Sequence, residues 1–216
     1  MEKKQSEKLL KHALILSIIT VIYNVIEGIV SVYFGESDDS LALLGFGVDS
    51  FVEVISGLGI LHMILRMKYS EVNNRDKFER TALKITGVGF YVLFVGLMLG
   101  SILNIISGKT PETTLAGIVI SSISILTMYF LMKAKLSVGK KLNSDAIISD
   151  ANCTKTCFYL SVILLSSSLL YEIFHINYFD ILGSLGIAYY SYKEGKEAFE
   201  KSHSDNLSCG CDHCEN

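Results

Sequence analysis

Six apolar runs of membrane-crossing length, separated by short polar connectors, account for most of this 216-residue chain. A lipid-spanning helix needs about 20 predominantly apolar residues, and hydropathy with polar breaks predicts six of them. They are Ala13 to Phe34, Leu41 to Leu65, Ala82 to Ser107, Thr113 to Met132, Ile147 to Tyr171 and Phe174 to Tyr192. The runs lack the alternation of a barrel strand, and open strands cannot satisfy their backbone groups in lipid, so the expected fold class is an all-α integral membrane bundle of six transmembrane helices. Half of the residues are hydrophobic and 19% are charged, below the roughly 25% of soluble domains, which leaves no room for a soluble catalytic domain of ordinary size. Met1 to Lys11 is polar and the run after it is too long for a signal-peptide core, so it is read as a first span. One proline, Pro111, argues against flexible linkers, and a net charge of −3 gives no case for nucleic-acid binding. The organisation expected is an N-terminal segment (1–12), a six-helix transmembrane domain (13–199) and a Cys/His-rich tail (200–216).

Charge placement sets the expected topology. Lysines and arginines cluster before the first run, around the second connector, in the fourth connector (Lys133, Lys135, Lys140 and Lys141) and after the last run. With Lys155, that puts 18 of 19 on one side and leaves Lys109 on the other. By the positive-inside rule both termini are cytoplasmic, in a multi-pass cell-membrane protein. Glu36, Asp38, Asp39, Glu112 and Glu172 make the opposite face weakly acidic. Gly35 and Gly108 fall where helix C-termini would need a left-handed cap, and Gly96-x-x-x-Gly100 marks the third run as a packing helix.

Ionisable groups inside such runs are costly and are functional candidates by default. Asp49 and Glu53 stand at i and i+4 in the second run, on one helix face, where two carboxylates can hold one cation. In the fifth run Asp150, Cys153, Cys157 and Ser161 follow spacings of 3, 4 and 4 and also share a face. Thiolates are soft ligands for zinc-like ions, and two of them with two carboxylates make a four-ligand tetrahedral set. The first run carries a polar stripe of Ser17, Thr20, Asn24, Glu27 and Ser31, read as a pathway lining with Glu27 and Asn24 as secondary site residues. Asp180, near the outer end of the last run, is either a pathway residue or an interfacial carboxylate. Counting 1.5 Å per residue from the outer ends puts Asp49 and Glu53 about 12 to 18 Å deep and Cys157 about 21 Å. Cys153 therefore stands either in the same tetrahedron or one step along an inward path from Asp150. Four deprotonated ligands around a divalent ion leave a net −2 in low dielectric, which requires a retained proton or a nearby cation. Lys155, the only basic residue inside a predicted span near the site, points away from the cysteine face and is expected to snorkel. Cys209, Cys211, His213 and Cys214 fall within six positions of a tail read as cytosolic and reducing, which favours metal binding over a disulfide. His12, His62 and His175 sit at span ends and are read as interfacial.

These residues resemble the cation diffusion facilitator family of zinc and related metal efflux transporters. The resemblance runs from Ala13 to about Phe199 and rests on three segments: Asp-Ser-Leu-Ala-Leu-Leu-Gly-Phe-Gly-Val-Asp-Ser-Phe-Val-Glu, Ser-Asp-Ala-Ile-Ile-Ser-Asp-Ala-Asn-Cys-Thr-Lys-Thr-Cys and the final Tyr-Lys-Glu-Gly-Lys-Glu-Ala-Phe. It implies that the second and fifth spans each supply two ligands to a mid-membrane site, here Asp49, Glu53, Cys153 and Cys157, and that the protein works as a homodimer. Where the family usually has histidine and aspartate in the fifth span, this chain has the two cysteines. The family's cytoplasmic C-terminal domain is expected to be missing, which makes this a transmembrane-only member. The function expected is efflux of a divalent cation from the cytoplasm by proton exchange, since cation and protons compete for the same deprotonated ligands. Helix rocking around a midplane site gives alternating access. Zinc is the first candidate, with cadmium, cobalt and iron behind it, and the ion is cargo, with no cofactor required. The competing reading is a membrane metal sensor that acts through the tail and transports nothing. A thiol oxidoreductase is disfavoured by the cysteine spacing and by the lack of external cysteines.

Overall fold

The computed structural model describes residues 2–69, 77–108, 110–176 and 178–204. Six helices form: α1 Glu2–Ser37, α2 Leu41–Tyr69, α3 Lys77–Ser107, α4 Leu115–Leu142, α5 Asp145–Phe174 and α6 Tyr178–His203. The six expected runs lie within these helices, except that the fourth begins two residues before α4 and the last begins four residues before α6, at Phe174 of α5. Most helices overrun the apolar stretch, because polar residues of good helix propensity continue the backbone ladder beyond it.

The helices pack as antiparallel neighbours. α1 lies against α2 and α4, α4 against α5, and α3 pairs with α6 while touching α2. One end of the bundle, the terminal face, gathers the start of α1, the ends of α2 and α4 and the start of α5, where Ala13, Ile64 and Ile147 are buried together. There Arg66 Nη1 also donates to Glu79 Oε1 at 2.6 Å, and Arg80 Nη1 donates to the Ser202 carbonyl at 3.0 Å. The other end is the connector face. Its helix starts are capped from across the bundle: Asp180 accepts the Ser40 hydroxyl at 2.6 Å and the Leu41 N–H at 3.0 Å, and Glu172 accepts the Thr114 N–H at 3.1 Å. Each carboxylate thus meets the positive end of a helix dipole.

Inside and outside are inverted relative to a water-soluble protein. Among the described residues, buried polar and charged side chains outnumber buried apolar ones. Ile15, Ile22, Ile26 and Ile29 of α1, Val92 and Ile106 of α3, and Leu126 and Phe130 of α4 are exposed. An apolar exterior of that extent is tolerable only against lipid. Among the described residues five helices are long and apolar enough to cross a membrane. α6 falls short of that mark, contrary to the sixth predicted span, because charges at Asp180, Lys193 and Glu194 leave only residues 181–192 uncharged. Its outer face still presents Leu182 and Tyr189.

Two glycine expectations separate here. Gly108 does end α3 in the left-handed region, at φ 64°. Gly35 does not: it lies inside α1, and the left-handed residue of that turn is Asp39, at φ 54°. Gly35 is instead required by contact, since a Cβ there would come within 2.5 Å of the Leu44 backbone nitrogen. Gly96 has open space around it while Gly100 faces Leu41, so the Gly96-x-x-x-Gly100 pair is not a helix-packing motif within the bundle.

The cap at Asp180 gives a first prediction. Asp180→Ala removes two hydrogen bonds at the start of α2, a change of about 1–2 kcal/mol. It should lower the apparent melting temperature in detergent by a few degrees. Unchanged melting would instead leave Asp180 open as a pathway residue.

Candidate metal site at the α1, α2 and α5 contact

The polar stripes of α1, α2 and α5 face one another near mid-bundle. Asp49 is 2% exposed, with one carboxylate oxygen lacking a hydrogen-bond partner. One turn along α2, Glu53 accepts the Cys157 thiol through both oxygens, at 2.7 and 2.8 Å, and the Asn24 amide at 3.1 Å. Glu27 is buried beside them and accepts the Ser50 hydroxyl at 3.1 Å, while its second oxygen has no hydrogen-bond partner. The Asn24 side-chain oxygen is likewise buried without one. Three acceptor oxygens from two helices therefore lack donors in a layer that already holds a carboxylate and a thiol. Buried acceptors without donors are uncommon and costly, and a cation is one partner that satisfies them.

Below the site, on the terminal side, runs a small cavity of about 40 Å³ lined by Ser56, Thr86, Cys153, Glu194 and Lys201 among others. On the connector side the bundle is closed by a cluster containing Leu43, Phe46, Leu93, Leu97, Leu160 and Leu164. The connector side is sealed by apolar side chains, while the cavity on the terminal side has a mixed lining in which Ile60, Met63, Leu83, Phe90 and Ala198 stand beside the polar groups.

The four expected ligands are not gathered equally. Glu53 and Cys157 touch, and Asp49 follows from the i, i+4 spacing on α2. Cys153 has turned to the cavity, where Lys201 Nζ stands 3.9 Å from its sulfur. Among the described residues no group of three His, Cys, Asp or Glu is close enough to hold an ion as the structure stands. Cys157 also packs on Met128 and Leu131, so it serves the core as well as the polar layer. Ser161 extends that layer to α4 by donating to the Ser124 hydroxyl at 2.8 Å.

Asp150 has a different partner from the one its place on the cysteine face implies. Lys135 Nζ donates to its Oδ1 at 2.9 Å and to the Thr154 hydroxyl at 3.0 Å, while Ser17 donates to its other oxygen at 3.3 Å. Lys135 is only 1% exposed, so its reading as a charge in the fourth connector is corrected. α4 continues through it to Leu142, and the lysine points inward. A signal for this was present. Ser121, Ser124, Met128, Leu131, Lys135 and Gly139 are spaced 3, 4, 3, 4 and 4, one continuous face, and all six are buried. Lys155 instead lies over the Tyr159 ring, 5.7 Å from its centre.

Glu172 and Asp180 serve as caps, so the acidity of the connector face is partly structural. Asp38 there is held above the ordinary carboxylate range by partial desolvation and then by the charge of Glu112. Cys209, Cys211, His213 and Cys214 lie outside the described residues. Sequence reasoning missed Lys135, Glu194 and Thr86. Glu194 follows the last apolar run and was legible only as part of a polar end.

The family profile described as the cation efflux transmembrane domain matches residues 13–205. A curated protein of Methanocaldococcus jannaschii, named an uncharacterized transporter, is 26% identical over 177 residues, covering 79% of this chain and 62% of that protein. This chain thus spans less than two thirds of that relative's length. A multi-pass helical bundle with an apolar exterior, a buried carboxylate layer and a domain match over nearly all of its spans are the marks of one group, and the chain belongs to the cation efflux family of transporters.

Proposed function

We propose that the protein exports a divalent cation, zinc before cadmium, cobalt or iron, from the cytoplasm in exchange for protons. The observation that supports this best is the Cys157–Glu53 contact inside the bundle. A thiol donating to a carboxylate holds a proton between a soft ligand and a hard one, at a place where a metal ion can replace it. Binding of the ion to Glu53, Cys157 and Asp49, with Asn24 or Glu27 completing the shell, releases that proton, since metal ligands bind deprotonated. Proton return from the far side then expels the ion. A thiolate in the set favours zinc-like ions over magnesium or manganese.

Lys135 neutralises Asp150, so the negative charge at the site comes from Asp49, Glu53, Glu27 and, with the ion bound, the Cys157 thiolate, and a proton retained on one carboxylate limits the excess. With the basic residues on the terminal face, the positive-inside rule makes that face cytoplasmic. The cavity then lies on the cytoplasmic side of the site and the leucine-rich seal on the outer side, and helix rocking would expose the site to one side at a time. The functional unit is a homodimer in the cell membrane, as in the family.

Zinc uptake into inside-out vesicles tests the reading. Asp49→Ala should abolish proton-driven uptake, while replacing Cys209, Cys211 and Cys214 by serine should leave most of it. The opposite order of severity would make the protein a tail-based metal sensor.

A further inference from the structure

The cavity on the terminal side holds chemistry that the mid-bundle layer does not use. Its wall takes a thiol from α5 (Cys153), a carboxylate from α6 (Glu194) and hydroxyls from α2 (Ser56) and α3 (Thr86). Thr86 is 1% exposed and its hydroxyl has no hydrogen-bond partner, although a threonine inside a helix ordinarily bonds back to its own turn. Thr156 of α5 donates to Glu194 Oε1 at 3.0 Å, which leaves the other oxygen of the carboxylate for a further partner. An ammonium already stands in this space: Lys201 Nζ lies 3.9 Å from the Cys153 sulfur while also paired with Glu197 at 2.7 Å. The volume of about 40 Å³ exceeds what one water needs and accommodates a cation with part of its hydration shell.

We propose that Cys153, Glu194 and Thr86 form a second, cytoplasm-side binding site for a zinc-like divalent cation, and that the Lys201 ammonium is a tethered cation that the arriving ion displaces. The inference rests on the reading of the protein as a cation transporter and adds a loading step to it. Cys153 and Cys157 are one helical turn apart, so an ion leaving this site has about 6 Å to travel along α5 to reach the Glu53–Cys157 pair. A thiolate and a carboxylate from different helices suit a borderline-soft ion. Displacing Lys201 costs the site some affinity, which keeps the ion mobile. Cys153 thereby serves as a ligand on the path into the deeper site.

The test is protection of Cys153 from alkylation by N-ethylmaleimide in the purified full-length protein in lipid nanodiscs, at buffered free zinc, read by mass spectrometry of the peptide that contains it. Zinc is expected to slow the reaction at least about tenfold, with magnesium having no effect. Glu194→Gln should raise the half-protecting zinc concentration about tenfold or more, and Lys201→Met should lower it several-fold. Glu53→Gln should leave it within about twofold. Zinc giving no more protection than magnesium would overturn the proposal, as would Glu53→Gln removing protection that Glu194→Gln retains. If Glu194→Gln does not yield a monodisperse protein, Lys201→Met decides: unchanged or weaker protection overturns the proposal. Protection is measured without transport, so a failure of the transporter reading would show in flux assays and leave this result to stand or fall separately.

Discussion

Glu53→Ala is expected to reduce zinc flux in proteoliposomes about 100-fold or more while leaving the protein folded. Groups that merely orient a metal ligand cost about 10- to 100-fold when removed, so a direct ligand belongs at or beyond the upper end of that range. Glu53 has the most contacts in the layer: both carboxylate oxygens face the Cys157 sulfur and one also takes the Asn24 amide. Truncation leaves an apolar methyl, and the thiol and amide lose an acceptor, which helices of this length tolerate. Asn24→Ala should therefore fall well below Glu53→Ala in severity, at about tenfold. Cys157→Ser tests ion softness separately. It should lower zinc and cadmium flux and relatively favour manganese, because a hydroxyl is a harder donor than a thiolate. Glu53→Ala supporting flux within about twofold of wild type would remove the mid-bundle layer from the transport path and with it the proposed mechanism.

The second large effect concerns stability. Lys135→Met is expected to destabilise the bundle by about 3 kcal/mol, because it leaves Asp150 buried with its main counter-charge gone. Breaking a buried pair by removing one partner typically costs 3–5 kcal/mol. The pair is close, at 2.9 Å, with side chains 1% and 6% exposed. Thr154 and Ser17 complete its shell. The double variant Lys135→Met with Asp150→Leu should regain most of the loss, since replacing both partners with apolar groups of similar size is often neutral. Denaturant or thermal unfolding followed by size exclusion reads both variants. A double variant no better than the single would show that Lys135 acts through something other than its charge.

The mid-bundle ligands and the Lys135–Asp150 pair differ in how legible they are in the residues. Asp49, Glu53 and Cys157 stood out because carboxylates and thiols inside apolar runs are rare, and i, i+4 spacing fixes which of them share a face. Those are local properties. Lys135 was assigned to a connector because its neighbours Lys133, Lys140 and Lys141 are basic and hydropathy falls there; nothing within ten residues indicates that α5 brings Asp150 to meet it. Gly35 reads as a helix end for a similar reason, since glycine serves both left-handed caps and close helix contacts, and only the position of Leu44 on the next helix separates the two.

The sequence by itself determined that the chain is helical, that it presents an apolar exterior suited to lipid, where the apolar part of each helix runs, and which groups inside the spans are candidates to carry chemistry. Length, hydropathy and helical period are properties of one segment at a time, and lipid leaves a single way to satisfy the backbone. The tertiary structure decided which of those groups meet. It put Cys157 on Glu53 and Lys135 on Asp150, turned Cys153 to the cavity beside Glu194, and used Asp180 and Glu172 as helix caps. Each of these depends on how one helix is rotated and shifted against another, which is set by the packing of small residues, ridges and caps across the whole bundle rather than by spacing within any one run.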